Sequence, residues 1–328
     1  MKAVVTGGAG FIGSHLVERL LADGAEVTVV DSFTRGRERN LASVAADTRL
    51  RVVRADVRDA AALRPAFEGA QQVYHLAALA DIVPSISDPM EYFTTNVDGT
   101  VNVLEASRAA GAGRFVYVAS STCYGIPDHY PTPETAPVRT EYPYALTKHL
   151  GELCALHWGR VYGLPVVSLR FFNVYGPRSR TGGTYGAVMG VFLAQKLNRR
   201  PLTIVGDGTQ TRDFTYVTDV VDAMVTAARS EVRDEVFNVG SGGTYSVNEL
   251  ADRIGGERVH VPKRPGEPDC TYADISKIRS RLGWEPKVSF GEGVARLVER
   301  IGDWSEAPVW TPDSIREATA DWFKYLSR

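Results

Sequence analysis

The clearest candidates for chemistry are Tyr144 and Lys148, which stand four positions apart. Pro143 has a fixed φ and no N–H, which suits the first turn of a helix, and good helix formers follow it. Residues four apart on a helix project from one face, one turn apart. A lysine ammonium favours the phenolate, so we expect Lys148 to lower the pKa of Tyr144 and the pair to act as an acid–base device. Because the chain has 14 tyrosines, a chance spacing on an ordinary surface helix is the alternative.

Four more polar residues fall where predicted strands end: Asp31, Asp56, His75 and Ser120. In open α/β sheets, ligands bind beyond the carboxyl ends of the strands, so these side chains are expected near one site. We predict that His75 packs beneath a ligand without acid–base work. No metal site is predicted, because no Asp, Cys and His cluster with metal-ligand spacing accompanies these residues.

The beginning of the chain predicts a dinucleotide site. A buried strand over residues 2–6 leads into a glycine-rich turn, a helix over 14–22 and a second strand over 26–30 that ends at Asp31. Glycines let the backbone approach a pyrophosphate, whose charge meets the helix N-terminus, and the later carboxylate can hold the adenosine ribose. Asp31 favours NAD over NADP because a carboxylate repels a 2′-phosphate. Arg35 and Arg37 could receive that phosphate, although a solvated basic loop is the simpler interpretation.

Strands and helices continue to alternate, which predicts an α/β fold: a doubly wound parallel sheet of the Rossmann type with a smaller C-terminal α/β substrate-binding domain. We assign residues 1–172 to the dinucleotide-binding domain, expect 213–240 to return to it, and assign 173–328 to the smaller domain. The further predicted strands are 51–55, 72–76, 114–119, 166–170, 201–205 and 236–239, and the further predicted helices are 92–110, the helix after Pro143, 187–198, 218–228 and an amphipathic terminal helix over 313–326.

The composition is that of a globular protein with a sizeable core, at 44% hydrophobic and 23% charged residues. Its 37 basic and 39 acidic residues give a net charge of −2 with no long run of either sign, so neither nucleic acid nor a membrane surface is an expected partner. Three widely spaced cysteines form no pair motif, no apolar run approaches 18 residues, and the N-terminus lacks a signal pattern. A cytoplasmic protein is expected.

Taken together, the motifs resemble the extended short-chain dehydrogenase/reductases, in particular the NAD-dependent nucleotide-sugar epimerases and dehydratases, and most of all those similar to UDP-glucose 4-epimerases. They cover nearly the whole chain in the order of that family. The matching segments are 6–13, 30–36, 75–78, 96–100, 120–125, Tyr144 with Lys148, 170–177, 206–213 and 273–277.

The resemblance implies roles for individual residues. Ser120, Tyr144 and Lys148 take the place of the family's catalytic set, and Ser121 and Thr122 stand close enough to share the role of the serine. The implied cofactor contacts, besides Tyr144 and Lys148, are Gly7, Gly10, Phe11, Ile12, Gly13, Asp31, Ser32, Asp56, Val57, Leu76, Ala77, Ala78, Asn96 and Phe172. The implied contacts to the substrate, besides Ser121 and Thr122, are Asn173, Val188, Thr203, Val205, Arg212, Arg264, Glu267 and Thr271, where Glu267 replaces the family's usual Asp.

The resemblance also narrows the reaction. Dehydratases of this family carry Asp-Glu, and the decarboxylases Ser-Glu, directly after the catalytic hydroxyl residue, whereas this chain has Ser121 and Thr122. Without that acid, epimerisation at C4 of a UDP-sugar, with NAD as cofactor, is the expected reaction. A 4,6-dehydratase or a keto-reductase on the same scaffold is the alternative. A dinucleotide sensor without catalysis is less compatible with the retained Tyr144 and Lys148.

The sugar itself is left open by the sequence. Thr271 aligns with a position that gates the sugar pocket in relatives and would admit an N-acetyl group. Arg178 or Arg180 could pair with the C6 carboxylate of a UDP-glucuronate, whereas Asn173 resembles the glucose-type enzymes. The resemblance further implies a homodimer formed through the helices around 94–110 and 144–160, and Tyr142, which has no lysine partner, is expected only to pack.

Overall fold

The structure is a computed structural model that describes residues 1–179 and 188–327. Its strands, in chain order, are β1 (Lys2–Thr6), β2 (Glu26–Asp31), β3 (Leu50–Arg54), β4 (Gln72–His75), β5 (Arg114–Ser120), β6 (Val166–Phe171), β7 (Val174–Tyr175), β8 (Leu202–Val205), β9 (Thr211–Arg212), β10 (Thr215–Tyr216), β11 (Glu235–Val239), β12 (Tyr245–Ser246) and β13 (Arg258–Val261).

Helices alternate with these strands. They are α1 (Phe11–Ala22), α2 (Ala60–Phe67), α3 (Ile82–Ser87), α4 (Pro89–Phe93), α5 (Gly99–Ala109), α6 (Pro143–Tyr162), α7 (Val188–Leu197), α8 (Val217–Arg229), α9 (Val247–Ile254), α10 (Ser276–Leu282), α11 (Phe290–Glu299), α12 (Pro312–Ala318) and α13 (Ala320–Leu326), with short 3₁₀ turns at Glu38–Val44, Ser121–Tyr124 and Ile301–Trp304.

Seven strands form one sheet in the order β11-β6-β5-β4-β1-β2-β3, and every pair in it is parallel. The predicted α/β fold with a doubly wound parallel sheet is confirmed. Parallel strands are covered by helices on both faces, which explains why β6 is buried at all six residues. Chain order reverses between β1 and β4, so a crevice opens there at the carboxyl ends of the strands.

The segment after residue 213 contributes to this same sheet. Strand β11 pairs with β6 from Glu235↔Val167 to Val239↔Phe171, and α8 packs beside α1. We propose on this basis that residues 213–240 belong to one domain with residues 1–172.

A second, smaller core lies over the carboxyl edge of the sheet. Strand β13 pairs in parallel with β8, and helices α7, α9 and α11 pack around Phe192, Leu250 and Leu297. Proteins usually bind ligands in the crevice between two such packed regions. The described residues 1–179 and 188–327 contain no helix that is both long enough and apolar enough to cross a membrane.

Two predicted helices have a different form. The helix predicted over 92–110 is α4 and α5 joined by a π-helical turn at Thr94–Asp98. The terminal helix predicted over 313–326 is divided into α12 and α13 at Thr319, whose buried hydroxyl donates to the carbonyl of Ile315. Such a bond from a threonine hydroxyl to a carbonyl four residues earlier is a known source of helix bending.

Candidate active site

A cavity of about 730 Å³ lies at the carboxyl ends of the strands and extends toward the smaller core. Its lining includes every residue for which the resemblance implied a catalytic role or a contact to cofactor or substrate, except Asn96. On the side of the predicted cofactor these are Gly7, Gly10, Phe11, Ile12, Gly13, Asp31, Ser32, Asp56, Val57, Leu76, Ala77, Ala78 and Phe172. Toward the predicted substrate they are Ser120, Ser121, Thr122, Tyr144, Lys148, Asn173, Val188, Thr203, Val205, Arg212, Arg264, Glu267 and Thr271.

The glycine turn is shaped by two close approaches. Gly7 has φ +71°, and a Cβ there would lie 2.7 Å from the backbone N of Ala77. At Gly13 a Cβ would lie 2.2 Å from the carbonyl oxygen of Gly7. Helix α1 begins directly after Gly10, and no side chain caps its N-terminus. The free N–H groups and the helix dipole suit a pyrophosphate at this point, so these residues fit a dinucleotide.

Asp31 stands at the end of β2 beside this turn. Its carboxylate accepts hydrogen bonds from the backbone N–H of Ala9 at 2.9 Å and of Phe33 at 2.8 Å. Burial raises the pKa of Asp31, although the two hydrogen bonds and Arg54 oppose the rise. The carboxylate therefore fixes the loop that faces the predicted adenosine ribose. Arg35 and Arg37 line the same end of the cavity.

Asp56 and Asn96 are both engaged by protein groups. The Asp56 carboxylate accepts from the Arg58 guanidinium at 2.7 Å and 3.0 Å and from the Arg58 N–H at 2.9 Å. Asn96 lies behind the cavity wall, where its amide exchanges hydrogen bonds with the backbone of Leu79 at 2.8 and 3.0 Å and donates to the Thr147 hydroxyl. Asn96 was implied as a direct cofactor contact. In this structure it instead fixes the segment around Leu79 that follows β4 and lines the cavity.

His75 is buried between two threonines. One ring nitrogen hydrogen-bonds the Thr6 hydroxyl at 2.7 Å and the other the Thr100 hydroxyl at 2.9 Å. Burial lowers the pKa of His75 to about 3, with a smaller contribution from the charge of Lys148. A neutral, fully bonded imidazole outside the cavity lining fits the structural role predicted for this residue.

Ser120 is oriented by its neighbour Thr122. The Thr122 hydroxyl donates to Ser120 Oγ at 2.9 Å and the Thr122 N–H does so at 3.3 Å. With both acceptor positions of its oxygen used, Ser120 has its proton left to donate, and it hydrogen-bonds Tyr144. Ser120 is therefore the hydroxyl that meets Tyr144, and Thr122 is the one that orients it.

Tyr144 and Lys148 lie at the floor of the cavity. Burial raises the pKa of Tyr144, and the hydrogen bond from Ser120 only partly offsets this. Burial also lowers the pKa of Lys148 to about 7. The predicted lowering of the Tyr144 pKa is thus wrong for this structure, because burial penalises the charged form of both groups. Burial therefore separates the proton affinities of the two groups, whose ordinary pKa values of 10.0 and 10.5 are close, and leaves that of Tyr144 the higher.

Lys148 is held by the residues around it. Its ammonium nitrogen lies 4.6 Å from the centre of the Tyr117 ring, and the Tyr117 hydroxyl donates to the Lys148 carbonyl at 3.0 Å. Gly151, one turn on, allows this approach, since a Cβ there would lie 2.3 Å from the Tyr117 hydroxyl. Helix α6 therefore packs directly onto β5, the strand that carries Ser120.

The other end of the cavity carries two arginines. Arg212 is 8% exposed and donates to Glu267 at 2.7 Å, and Arg264 lies 3.8 Å from the second oxygen of that carboxylate. Guanidinium groups converging from two segments suit a diphosphate. Glu267, implied as a contact to the substrate, pairs with both arginines in this structure.

Further implied substrate residues are joined to one another. The Thr271 hydroxyl donates to the Asn173 side chain at 2.7 Å and accepts from the Asp213 N–H at 3.0 Å. Thr203 hydrogen-bonds both ends of the Gln195 amide, so this lining residue of β8 is held in place. Arg178 is paired with Glu18 of α1, and Arg180 lies outside the described residues.

Tyr142 and Trp322 are among the aromatic residues of the cavity that sequence reasoning missed. Tyr142 lines the cavity, contrary to the expectation that it only packs, and Trp322 of α13 lines it as well. Their ring centres lie 6.1 Å apart. No local signal brings the two together, because 180 positions separate them in the sequence.

Comparison with known proteins places these observations in a family. Residues 3–240 match the NAD dependent epimerase/dehydratase family. The chain is 40% identical to a UDP-glucose 4-epimerase of Mycolicibacterium smegmatis over 91% of its own length and 98% of that protein. It is 37% identical to UDP-glucuronic acid decarboxylase 1 of Arabidopsis thaliana, over 91% of this chain and 69% of the relative.

A solved structure extends the likeness to three dimensions. The UDP-glucose 4-epimerase of Thermotoga maritima with UDP-glucose superimposes with a TM-score of 0.86 at 35% identity, covering 91% of this chain and 98% of that one. The glycine turn at the β1/β4 crevice and the Ser120, Tyr144 and Lys148 group belong to the matched segment 3–240. The chain is a member of the NAD dependent epimerase/dehydratase family.

Proposed function

We propose that this protein is an NAD-dependent UDP-sugar 4-epimerase. The observation that carries the proposal is one cavity that joins the glycine turn, the Ser120 and Tyr144 hydrogen bond, Lys148 and the two arginines. A sugar nucleotide whose diphosphate meets Arg212 and Arg264 extends along this cavity toward Tyr144. Relatives with this activity agree with the proposal.

The residues present fit NAD. The Gly7 and Gly13 contacts leave no room for a side chain, the N-terminus of α1 is uncapped, and the Asp31 carboxylate faces the ribose end. NAD held by these residues would supply reversible hydride transfer at C4 of the sugar. The protein's own task is to move the proton of the 4-hydroxyl and to hold the sugar while it turns.

Tyr144 is the group that takes this proton and gives it back. Ser120 donates a hydrogen bond to the hydroxyl oxygen of Tyr144, and Thr122 fixes the direction of that bond. A protonated Lys148 on the next turn stabilises the Tyr144 phenolate by charge. Because burial brings the pKa of Lys148 to about 7, protonated and neutral forms are both accessible near neutral pH. The proton is moved reversibly, as an isomerisation requires.

The positions after Ser120 distinguish this reaction from elimination or decarboxylation. Ser121 and Thr122 bear hydroxyl groups, and Thr122 uses its hydroxyl on Ser120. Neither is an acid that could protonate a leaving hydroxide, which dehydratases need. Elimination from a 4-keto sugar therefore lacks its acid at these two positions.

The function is tested with Tyr144→Phe. We expect it to keep its bound NAD and to lose more than about 95% of turnover, because general acid–base catalysis contributes roughly 10²–10⁴-fold to a rate. The assay follows conversion of UDP-glucose, UDP-N-acetylglucosamine and UDP-glucuronate to their C4 epimers by chromatography. Failure of the natural protein to convert any of these, or release of a dehydrated 4-keto product, would reject the proposed reaction.

We also propose that the protein works as a homodimer. Leu153, Val161 and Tyr162 on α6 are apolar and 45%, 55% and 51% exposed, and α5 packs alongside that helix. Leu153→Glu with Val161→Glu should convert a dimer to a monomer in light scattering. Val52→Glu, at a similarly exposed apolar residue of β3, is the matched control. A monomeric natural protein would contradict this proposal.

A cytoplasmic location is proposed as well. Cys123, Cys154 and Cys270 are free thiols, which suits a reducing compartment. Fractionation of cells that express the protein tests this location, and recovery from a secreted fraction would oppose it.

A further inference from the structure

A row of aromatic rings lines the cavity between its two functional ends. The Tyr144 and Tyr142 rings are parallel within 7°, with centres 6.4 Å apart, and the Trp322 ring centre lies 6.1 Å beyond Tyr142. The Arg264 guanidinium lies 5.5 Å from the Trp322 ring centre. The row therefore leads from the phenol proposed for proton transfer to an arginine proposed for the diphosphate.

Trp322 is fixed in this row by both halves of the molecule. Its indole N–H donates to the carbonyl of Pro265 at 2.6 Å, in the loop that carries Arg264. The adjacent Asp321 accepts from the Ser87 hydroxyl of α3 at 2.7 Å. Trp322 itself is 3% exposed. Helix α13 thus spans from the nucleotide loop to a helix of the large sheet, and its tryptophan is held at the cavity wall.

Tyr142 and Trp322 form an aromatic wall of the cavity, and this wall lies where the hexose of a bound UDP-sugar is expected. In a UDP-sugar the hexose connects the diphosphate to the reacting C4, so a hexose bound between Arg264 and Tyr144 passes Trp322 and Tyr142. Aromatic side chains bind ligands by burying apolar faces such as the C–H face of a hexose. Two carboxylates, Asp81 and Glu141, also line the cavity, and the charge of Asp81 acts on Tyr144.

We propose that Trp322 and Tyr142 are specificity-determining residues that stack on the hexose ring, and that this wall selects a neutral UDP-hexose over a UDP-hexuronate. The inference rests on the proposed function and names the sugar class of that same site. An uncharged aromatic wall flanked by two carboxylates disfavours a C6 carboxylate, and Arg178, which the sequence offered as its partner, already pairs one guanidinium nitrogen with Glu18.

The test measures binding instead of turnover, so that it does not depend on catalysis. Titration calorimetry gives dissociation constants of UDP, UDP-glucose and UDP-glucuronate for the natural protein and for Trp322→Leu, Trp322→Phe and Tyr142→Leu, each with its NAD content and circular dichroism recorded. Tyr325→Leu is the matched control, because Tyr325 lies on the same helix, is 48% exposed and is outside the cavity lining.

We expect Trp322→Leu and Tyr142→Leu each to weaken UDP-glucose binding about tenfold and UDP binding less than about twofold, while Trp322→Phe, which keeps an aromatic face, stays within about threefold. The natural protein should bind UDP-glucose at least about tenfold more tightly than UDP-glucuronate. Tyr142→Leu keeps the test decisive if Trp322→Leu does not fold.

Other results overturn the inference. Equal weakening of UDP and UDP-glucose, or a Trp322→Phe defect as large as that of Trp322→Leu, would mean that the indole only anchors the Pro265 loop. Unchanged UDP-glucose binding, or tighter binding of UDP-glucuronate, would reject the stacking wall or its selectivity. If the sugar preference in binding holds but no UDP-sugar is epimerised, the proposed function fails separately.

Discussion

Glu152 and Arg170 form a buried ion pair one helical turn beyond Lys148, with 2.6 Å between the closest oxygen and nitrogen. Burial acts to raise the pKa of Glu152, but the neighbouring His149 and the hydrogen bonds from Arg170 and Ser168 outweigh it and lower the pKa to about 2. Arg170 also donates to the Tyr124 hydroxyl at 2.8 Å, in the turn that follows Ser120. The pair therefore ties the helix of Lys148 to β6 and to the serine turn.

The first prediction concerns the loss of this ion pair. Glu152→Leu leaves the Arg170 charge buried and unpaired, so we expect the free energy of unfolding to fall by about 3–5 kcal/mol in urea titrations. The double variant Glu152→Leu with Arg170→Met should recover most of that loss. Arg316→Ala removes an exposed pair with Asp313 and should cost less than about 1 kcal/mol. A cost for Glu152→Leu as small as that of the control would show that the pair is not rigidly held.

Orientation of Ser120 by Thr122 gives a second prediction. Thr122→Val keeps the shape of the side chain and removes the hydroxyl that donates to Ser120 Oγ. We expect kcat for epimerisation to fall about tenfold with little change in KM, because a net hydrogen bond contributes about 0.5–1.5 kcal/mol. Thr122→Ser restores the hydroxyl and should restore most of the rate. Equal losses in both variants would indicate a packing role.

The third prediction concerns the glycine turn. In Gly13→Ala the new methyl group would lie 2.2 Å from the Gly7 carbonyl oxygen, so the turn has to open. We expect purified Gly13→Ala to carry less than about a tenth of the NAD bound by the natural protein, measured by absorbance after acid release. Gly302→Ala is the control, because no atom lies within 4 Å of its added Cβ and its φ is not positive. Full cofactor content in Gly13→Ala would argue against a pyrophosphate at this turn.

Local patterns predict the large sheet well, because each strand and helix carries its own periodicity. The glycine turn, Asp31 and the Tyr144 and Lys148 pair could be named because their spacing along the chain is short. The π-helical turn at Thr94–Asp98 and the break at Thr319 could not, since both depend on how neighbouring elements pack.

The properties that depend on distant contacts were the least predictable. The sequence suggests that Lys148 lowers the pKa of Tyr144, but the degree of burial, which decides the direction, follows from the closed cavity floor. In the same way, Glu267 meets Arg212 across 55 positions, and Trp322 reaches Tyr142 across 180. Such contacts leave no signal in a local window of residues.

The last prediction is a pH dependence set by His75. Burial holds its pKa at about 3 in the folded protein, against 6.5 for an ordinary histidine, so the unfolded chain binds a proton that the folded protein does not. Stability is therefore lost as pH falls from 6.5 toward 3, at up to about 1.4 kcal/mol per pH unit from this group.

Between pH 6.5 and 4.5, above the range where Glu152 titrates, His75→Gln should show a shallower decline in the free energy of unfolding. His15, whose pKa burial also lowers, contributes equally to both proteins and cancels in the comparison of slopes. Identical slopes in urea titrations across this window would show that His75 accepts a proton without unfolding.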